Sequence, residues 1–275
     1  MFELQTEEIS SAYLTLRVAL NVGPRLVGLR LAGSDENLLG ETPRLNWETV
    51  HGPYRTFGGH RLWAGPQIDG RTDVPDDQPV TVEHLENGVR LTQVMETPTG
   101  IRKAVEVHLY PQRAGLRIIH RLVNCGIRPV ELAPWAITMV PLGGTASIPL
   151  PARAMGPDTH IPNRSLIFWP YTRLEDPRLH LETDCVMLEG QAALPACKVG
   201  SFSTGGLLEY CRNGVILRKQ ITVQPDQVYT DLGCNLELFV NDQVLELETF
   251  GPLVRLDPGD TVEHVEEWEI ERVAR

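Results

Sequence analysis

The sequence predicts an all-β fold: a β-supersandwich of two large, mainly antiparallel sheets. Two observations predict it. Apolar and polar residues alternate with a period of two through most of the chain, which is the signature of strands buried on one face. Twenty-four glycines and 21 prolines interrupt the 275 residues, so few windows run long enough for a three-turn helix. A set of strands this large buries its apolar faces by packing one sheet on another.

The elements follow in order. In SAYLTLRVAL, Leu14, Leu16, Val18 and Leu20 share one face, while Tyr13, Thr15 and Arg17 share the other. RLVGLRL continues the pattern. It returns in VTVEHL, GVRLTQVM, IRKAVEVHLY, GLRIIHRLVN, GVILRKQITV and NLELFV, with Gly, Pro, Asn or Asp at most boundaries. Residues 132–152 carry no charge and match a bilayer span in length. Pro134, Pro141, Pro149, Pro151 and the Gly143, Gly144 pair would break a helix there, so buried strand and loop are expected. The proline-rich segment 145–177 also holds Ile167, Phe168, Trp169 and Tyr171, and is expected to be an ordered long connection. No linker, repeat or shift of composition divides residues 1–275, so one domain is expected.

Composition excludes several functions. Lys plus Arg number 25 against 36 Asp plus Glu, a net charge of −11, and no basic block stands out. Nucleic-acid binding, which needs clustered cations on phosphates, is not expected. Five widely spaced cysteines without a CxxC pair read as reduced thiols, not as a disulfide frame or zinc knuckle. The acidic start MFELQTEEISS lacks the features of a signal peptide, so a cytoplasmic protein and no membrane partner are expected. The histidines have no tight ligand spacing, and neither a GxSxG elbow nor a phosphate loop is present. No metal and no cofactor are called for.

Two stretches carry candidate chemistry. In LELETF, Leu245 and Leu247 point one way, and Glu246 and Glu248 the other. Either both glutamates face water, or solvent is excluded and their mutual repulsion raises a carboxyl pKa toward the range of a general base. The stretch FGGHRLWAGP, residues 57–66, groups Gly58 and Gly59, which permit close backbone approach, with His60, Arg61 and Trp63. Arg61 suits forked hydrogen bonds to hydroxyls, and Trp63 suits stacking on the apolar face of a sugar.

The successive stretches GPRLVGLRL with ENLL, FGGHRLW, LVNCGIRPVELAPWAITM, and LELETFGP with LDPGD resemble, in order, landmarks of the aldose 1-epimerase (galactose mutarotase-like) superfamily. The resemblance implies a β-supersandwich with a sugar-sized cleft and a small-molecule carbohydrate as partner. It also implies that Glu248, in the LET motif, is the general base. Where family enzymes place a histidine that protonates the ring oxygen, this chain has Trp135. His60 is then the nearest candidate acid, with Arg61, Trp63, Trp135, His108 and Lys198 as substrate-binding candidates. An aldose 1-epimerase-like isomerase, a non-catalytic sugar binder, and a lyase or other isomerase on the same scaffold all remain open.

Overall fold

A computed structural model describes residues 3–42, 45–152 and 160–273. It contains twenty-two strands, numbered along the chain, and no α-helix among the described residues. The first ten-stranded sheet runs β1 (Thr6–Ser10), β2 (Leu14–Ala19), β3 (Arg25–Leu31), β6 (His60–Gly65), β11 (Val130–Val140), β20 (Leu245–Phe250), β19 (Leu236–Val240), β16 (Cys197–Ser201) and β13 (Ile167–Phe168), with β21 (Val254–Leu256) on β11. The second runs β14 (Leu179–Leu181), β15 (Cys185–Glu189), β12 (Thr145–Pro149), β17 (Leu207–Arg212), β18 (Val215–Ile221), β22 (Thr261–Arg272), β10 (Gly115–Asn124), β9 (Ile101–Leu109), β8 (Gly88–Thr92) and β7 (Thr81–Leu85). A separate hairpin joins β4 (Asn46–Thr49) to β5 (Gly52–Arg55). All pairings within the two sheets are antiparallel.

Alternation builds the core as the sequence predicts. Leu14, Leu16 and Val18 are fully buried, while Thr15 and Arg17 between them are only half-buried. Leu236, Leu238, Leu245 and Leu247 of the first sheet join Val105, Val107, Leu116 and Ile118 of the second in one continuous apolar core. Each such side chain contributes about 1.5–3 kcal/mol by leaving water. The uncharged stretch 132–152 forms most of β11 and all of β12. Segment 145–177 differs from expectation at its start, where β12 pairs with β15 and β17 inside the second sheet. Part of that segment, 153–159, lies outside the described residues. No helix among the described residues is long and apolar enough to cross a membrane.

Gly58 and Gly59 serve the fold. Both have positive φ, 77° and 72°, and a Cβ would stand 2.2 Å from the Gly40 carbonyl oxygen and 1.9 Å from that of Leu26. What comes close to them is the protein's own backbone, which corrects their expected role toward a ligand and fixes the entry of β6 into the sheet.

Candidate functional site

Cross-strand register decides which side chains meet. Arg61 of β6 lies opposite Ile137 of β11, Ile137 opposite Glu248 of β20, and Glu248 opposite Glu237 of β19. Residues opposite one another in an antiparallel pair point to the same side, so these four form one row across the sheet. Trp63, Trp135 and Phe250 form a second row beside it. Met139, Glu246, Phe239 and Lys198 form a third. Leu245, Leu247, Leu236 and Leu238 alternate with these residues and enter the core, which leaves the three rows on the sheet's other face.

That face is covered. Glu237 and Glu248 are fully buried, Lys198 (6%) and Glu246 (8%) nearly so, and in these rows only Phe239 is half-buried. The reading of Glu246 and Glu248 as water-facing is therefore overturned. The β4–β5 hairpin forms part of the cover: Trp47 stacks on Tyr54 at 4.8 Å, Tyr54 meets Trp63 edge-on at 5.5 Å, and the Trp63 indole donates to the Tyr54 hydroxyl at 2.8 Å. Trp63 meets Trp135 at 5.2 Å, and Trp135 stacks on Phe250 at 5.1 Å. On the far side Trp169 lies 4.6 Å from the Lys198 ammonium.

Charge is concentrated in this setting. Lys198 Nζ stands 2.7 Å from Glu237 Oε2 and 2.9 Å from Glu248 Oε2. The Trp135 indole donates to the same Glu248 oxygen at 2.8 Å. Arg61 lies over the Trp63 ring at 4.5 Å and reaches Glu246 at 3.4 Å. Burial opposes the charge on Lys198, but Glu237 and Glu248 outweigh it and hold the ammonium well above its ordinary pKa. Burial drives the Glu237 carboxyl well above the usual carboxylate range in spite of Lys198. Burial likewise raises Glu246, against the pull of Arg61. Several buried atoms have no protein hydrogen-bond partner: Arg61 Nε and Nη1, Glu248 Oε1, and both oxygens of Glu237, which Lys198 approaches as an ion pair without hydrogen-bond alignment. Buried polar atoms are rarely left so, and a ligand carrying several hydroxyls supplies both the donors and the acceptors they lack.

Of the predicted site residues, the structure brings together Glu248, Arg61, Trp63, Trp135 and Lys198. His60 is a correction. It lies opposite Thr138, one residue out of step with Arg61, and therefore points between the sheets, away from Glu248. There its Nδ1 meets Thr138 Oγ1 at 2.8 Å and its Nε2 meets His120 Nε2 at 2.7 Å. Burial holds the ring neutral, well below the ordinary histidine pKa. His108 is a second correction: it stands on β9 of the other sheet, 37% exposed and paired with Glu106 at 2.7 Å.

The ligating atoms of His60, His120 and Glu266 all lie within 4.8 Å of one another. A cation finds poor terms there, because Lys219 already occupies Glu266 Oε1 at 3.1 Å and the Trp268 indole donates to Oε2 at 2.7 Å. The His120 Nδ1 faces the His264 carbonyl at 2.9 Å, so it carries the proton, and His60 donates from Nε2 to His120 Nε2. The donor set fits a hydrogen-bond network that ties the sheets together.

Sequence reasoning missed Glu237, Asp231 and Tyr171. For Glu237 a signal existed: NLELFV repeats the Leu-Glu-Leu alternation of LELETF, and puts Glu237 on the face opposite Leu236 and Leu238. Asp231 sits in a turn, with no periodicity to reveal its direction.

Comparison with protein-family models and with curated proteins gives no match. Solved structures do match. A galactose mutarotase-like protein from Lactobacillus casei ATCC 334 superposes with a TM-score of 0.60 at 12% identity, over 97% of this chain and 100% of that one. A protein from Escherichia coli K12, described as a candidate aldose 1-epimerase, superposes with a TM-score of 0.60 at 13% identity, over 98% and 100%. A galactose mutarotase related enzyme from Lactobacillus acidophilus does so with a TM-score of 0.55 at 9% identity, over 98% and 100%. The chain has the galactose mutarotase-like fold.

Proposed function

We propose that this chain binds a carbohydrate on the covered face of its first sheet and interconverts its anomers as an aldose 1-epimerase-like isomerase. The observation that carries the reading is the row Arg61, Glu248, Glu237, flanked by the indoles of Trp63 and Trp135. One Glu248 oxygen is held by Lys198 and Trp135, and the other, buried and without a protein partner, is free to accept a proton from a hydroxyl. The names of the structural neighbours support the same chemistry. In this scheme Glu248 takes the proton of the anomeric hydroxyl, an acid protonates the ring oxygen, and the bond between that oxygen and C1 opens. Rotation about the bond to the exposed carbonyl carbon precedes closure on the opposite face. No cofactor enters the scheme, and the five free cysteines suit a cytoplasmic setting.

A second reading, a sugar-binding protein without turnover, is favoured by one observation. Where the family resemblance implies an acid this chain carries Trp135, and His60 points into the core.

Polarimetry on freshly dissolved α-anomers separates the two. The isomerase accelerates mutarotation, and Glu248→Gln lowers the rate by about 10²–10⁴-fold while binding, followed by indole fluorescence, stays nearly intact. Saturable binding without acceleration by wild type leaves the binder. A panel of hexoses, pentoses, uronic acids and sugar phosphates with no saturable signal sinks both.

A further inference from the structure

We propose that Glu237 and Asp231 hold one proton between them beside Glu248, and that this pair is the acid which protonates the ring oxygen. The proposal rests on the isomerase reading above and supplies the group that His60 does not.

The geometry points there in three ways. Glu237 and Glu248 lie directly opposite each other on neighbouring strands, and one ammonium touches both. Two carboxyl groups so close can flank a single anomeric carbon, whose two oxygens are the atoms that must lose and gain a proton. The Asp231 carboxyl also comes within hydrogen-bonding reach of Glu237. Lys198 meets one Glu237 oxygen as an ion pair, and a single proton shared with Asp231 joins the two carboxyl groups by a hydrogen bond. Two carboxylates that share a buried site cannot both ionise cheaply.

The turn that delivers Asp231 is built at a cost. Asp231 and Leu232 have φ of 50° and 60°, and Gly233 follows at 96°. Two successive non-glycine residues in the left-handed region are uncommon, and such conformations persist where the surroundings hold them. Amides of Gly233 and Cys234 donate to the Thr230 carbonyl at 2.8 and 3.0 Å, which closes the turn and sets Asp231 against the site.

The charged and titratable groups facing Glu237 are Lys198 from β16, Glu248 from β20, Asp231 from this turn, the Cys234 thiol after it, and the Tyr171 hydroxyl from the connection that follows β13. Burial raises Glu237 well above the usual carboxylate range and moves Asp231 upward from its ordinary value, in keeping with a retained proton. In the reaction Glu237 gives that proton to the ring oxygen, the electron pair of the breaking bond to C1 moves onto that oxygen, and Glu248 removes the proton of the anomeric hydroxyl as the carbonyl forms. Lys198, 2.7 Å away, then stabilises the new Glu237 carboxylate. Reclosure reverses each transfer, so protons and electrons balance.

The test combines carboxyl carbon NMR on protein labelled at Asp and Glu with polarimetry. A carboxyl resonance that stays protonated at pH 7 and disappears or moves in both Glu237→Gln and Asp231→Asn is expected; fully ionised Asp231 and Glu237 between pH 6 and 8 overturn the shared proton. In polarimetry Glu237→Gln lowers the rate by about 10²–10⁴-fold, and Asp231→Asn, on the partly exposed turn, moves the alkaline limb of the rate profile. Wild-type rates in Glu237→Gln overturn the donor role even if the proton is present. If wild type accelerates no sugar, the isomerase reading and the donor role fail together, and the shared proton is still decided by the NMR spectrum.

Discussion

Glu237 and Glu248 face one another across β19 and β20, and the Lys198 ammonium lies within 2.9 Å of an oxygen of each. Removing one partner of a buried ion cluster leaves uncompensated charge, which typically costs about 3–5 kcal/mol. Lys198→Met is expected to lose stability on that scale in urea denaturation at pH 8. The loss should shrink toward pH 5, because the stranded Glu237 carboxyl, already raised by burial, protonates more fully there. An equal loss at both values would mean that Lys198 acts through its packing alone.

Trp135→Phe keeps the stack on Phe250 and deletes the indole donor to Glu248. A hydrogen bond to a buried charge contributes about 1.5–3 kcal/mol, and the variant is expected to fall by that amount in chemical denaturation. Trp135→Phe with unchanged stability would show that Lys198 alone satisfies Glu248 Oε2.

Arg61→Ala is expected to weaken sugar binding by more than about 1 kcal/mol, as measured by titration of the indole fluorescence, because two of its buried guanidinium nitrogens await acceptors. His108→Ala, far from this face and solvated, should leave the same titration unchanged. A matching loss in both variants would place the ligand elsewhere.

Burial, aided by the neighbouring His120, lowers His264 to about 3, against the attraction of Glu266. A depressed folded pKa means that protons bind the unfolded chain first. The stability that this neutral histidine contributes is therefore complete above the unfolded value of about 6.5 and is lost as pH falls toward 3. His60 and His120, also lowered by burial, add to the same limb. Thermal midpoints should decline through this window, and His264→Gln should flatten the decline. A midpoint independent of pH from 7 to 4 would contradict the neutral buried network.

The strands were legible because their signal is local. Alternation in SAYLTLRVAL or NLELFV needs only a pleat and a core to be read, and β2 and β19 fall where it places them. The face on which FGGHRLW presents its side chains was not legible. Adjacent residues of a strand always diverge, so His60 and Arg61 could never share a site; which of them turned inward depended on the register of β6 with β11. Glu248 was reached through its motif, whereas Lys198 and Trp135 come to it from strands distant in sequence, and Glu237 from the strand just before it. Lys198 and Glu237 approach it only because β16, β19 and β20 are neighbours in space.

The position of β22 bears on how the chain is made. It lies between β10 and β18 in the middle of the second sheet, yet it follows every other described strand of that sheet in sequence. A nascent chain halted before residue 261 can pair β7 to β10 and separately β12 to β18, but each half then ends in a long open edge, the kind of surface that recruits foreign strands. Until β22 is in place the two halves of this sheet cannot complete their hydrogen bonding, and each carries the aggregation hazard of an unpaired edge.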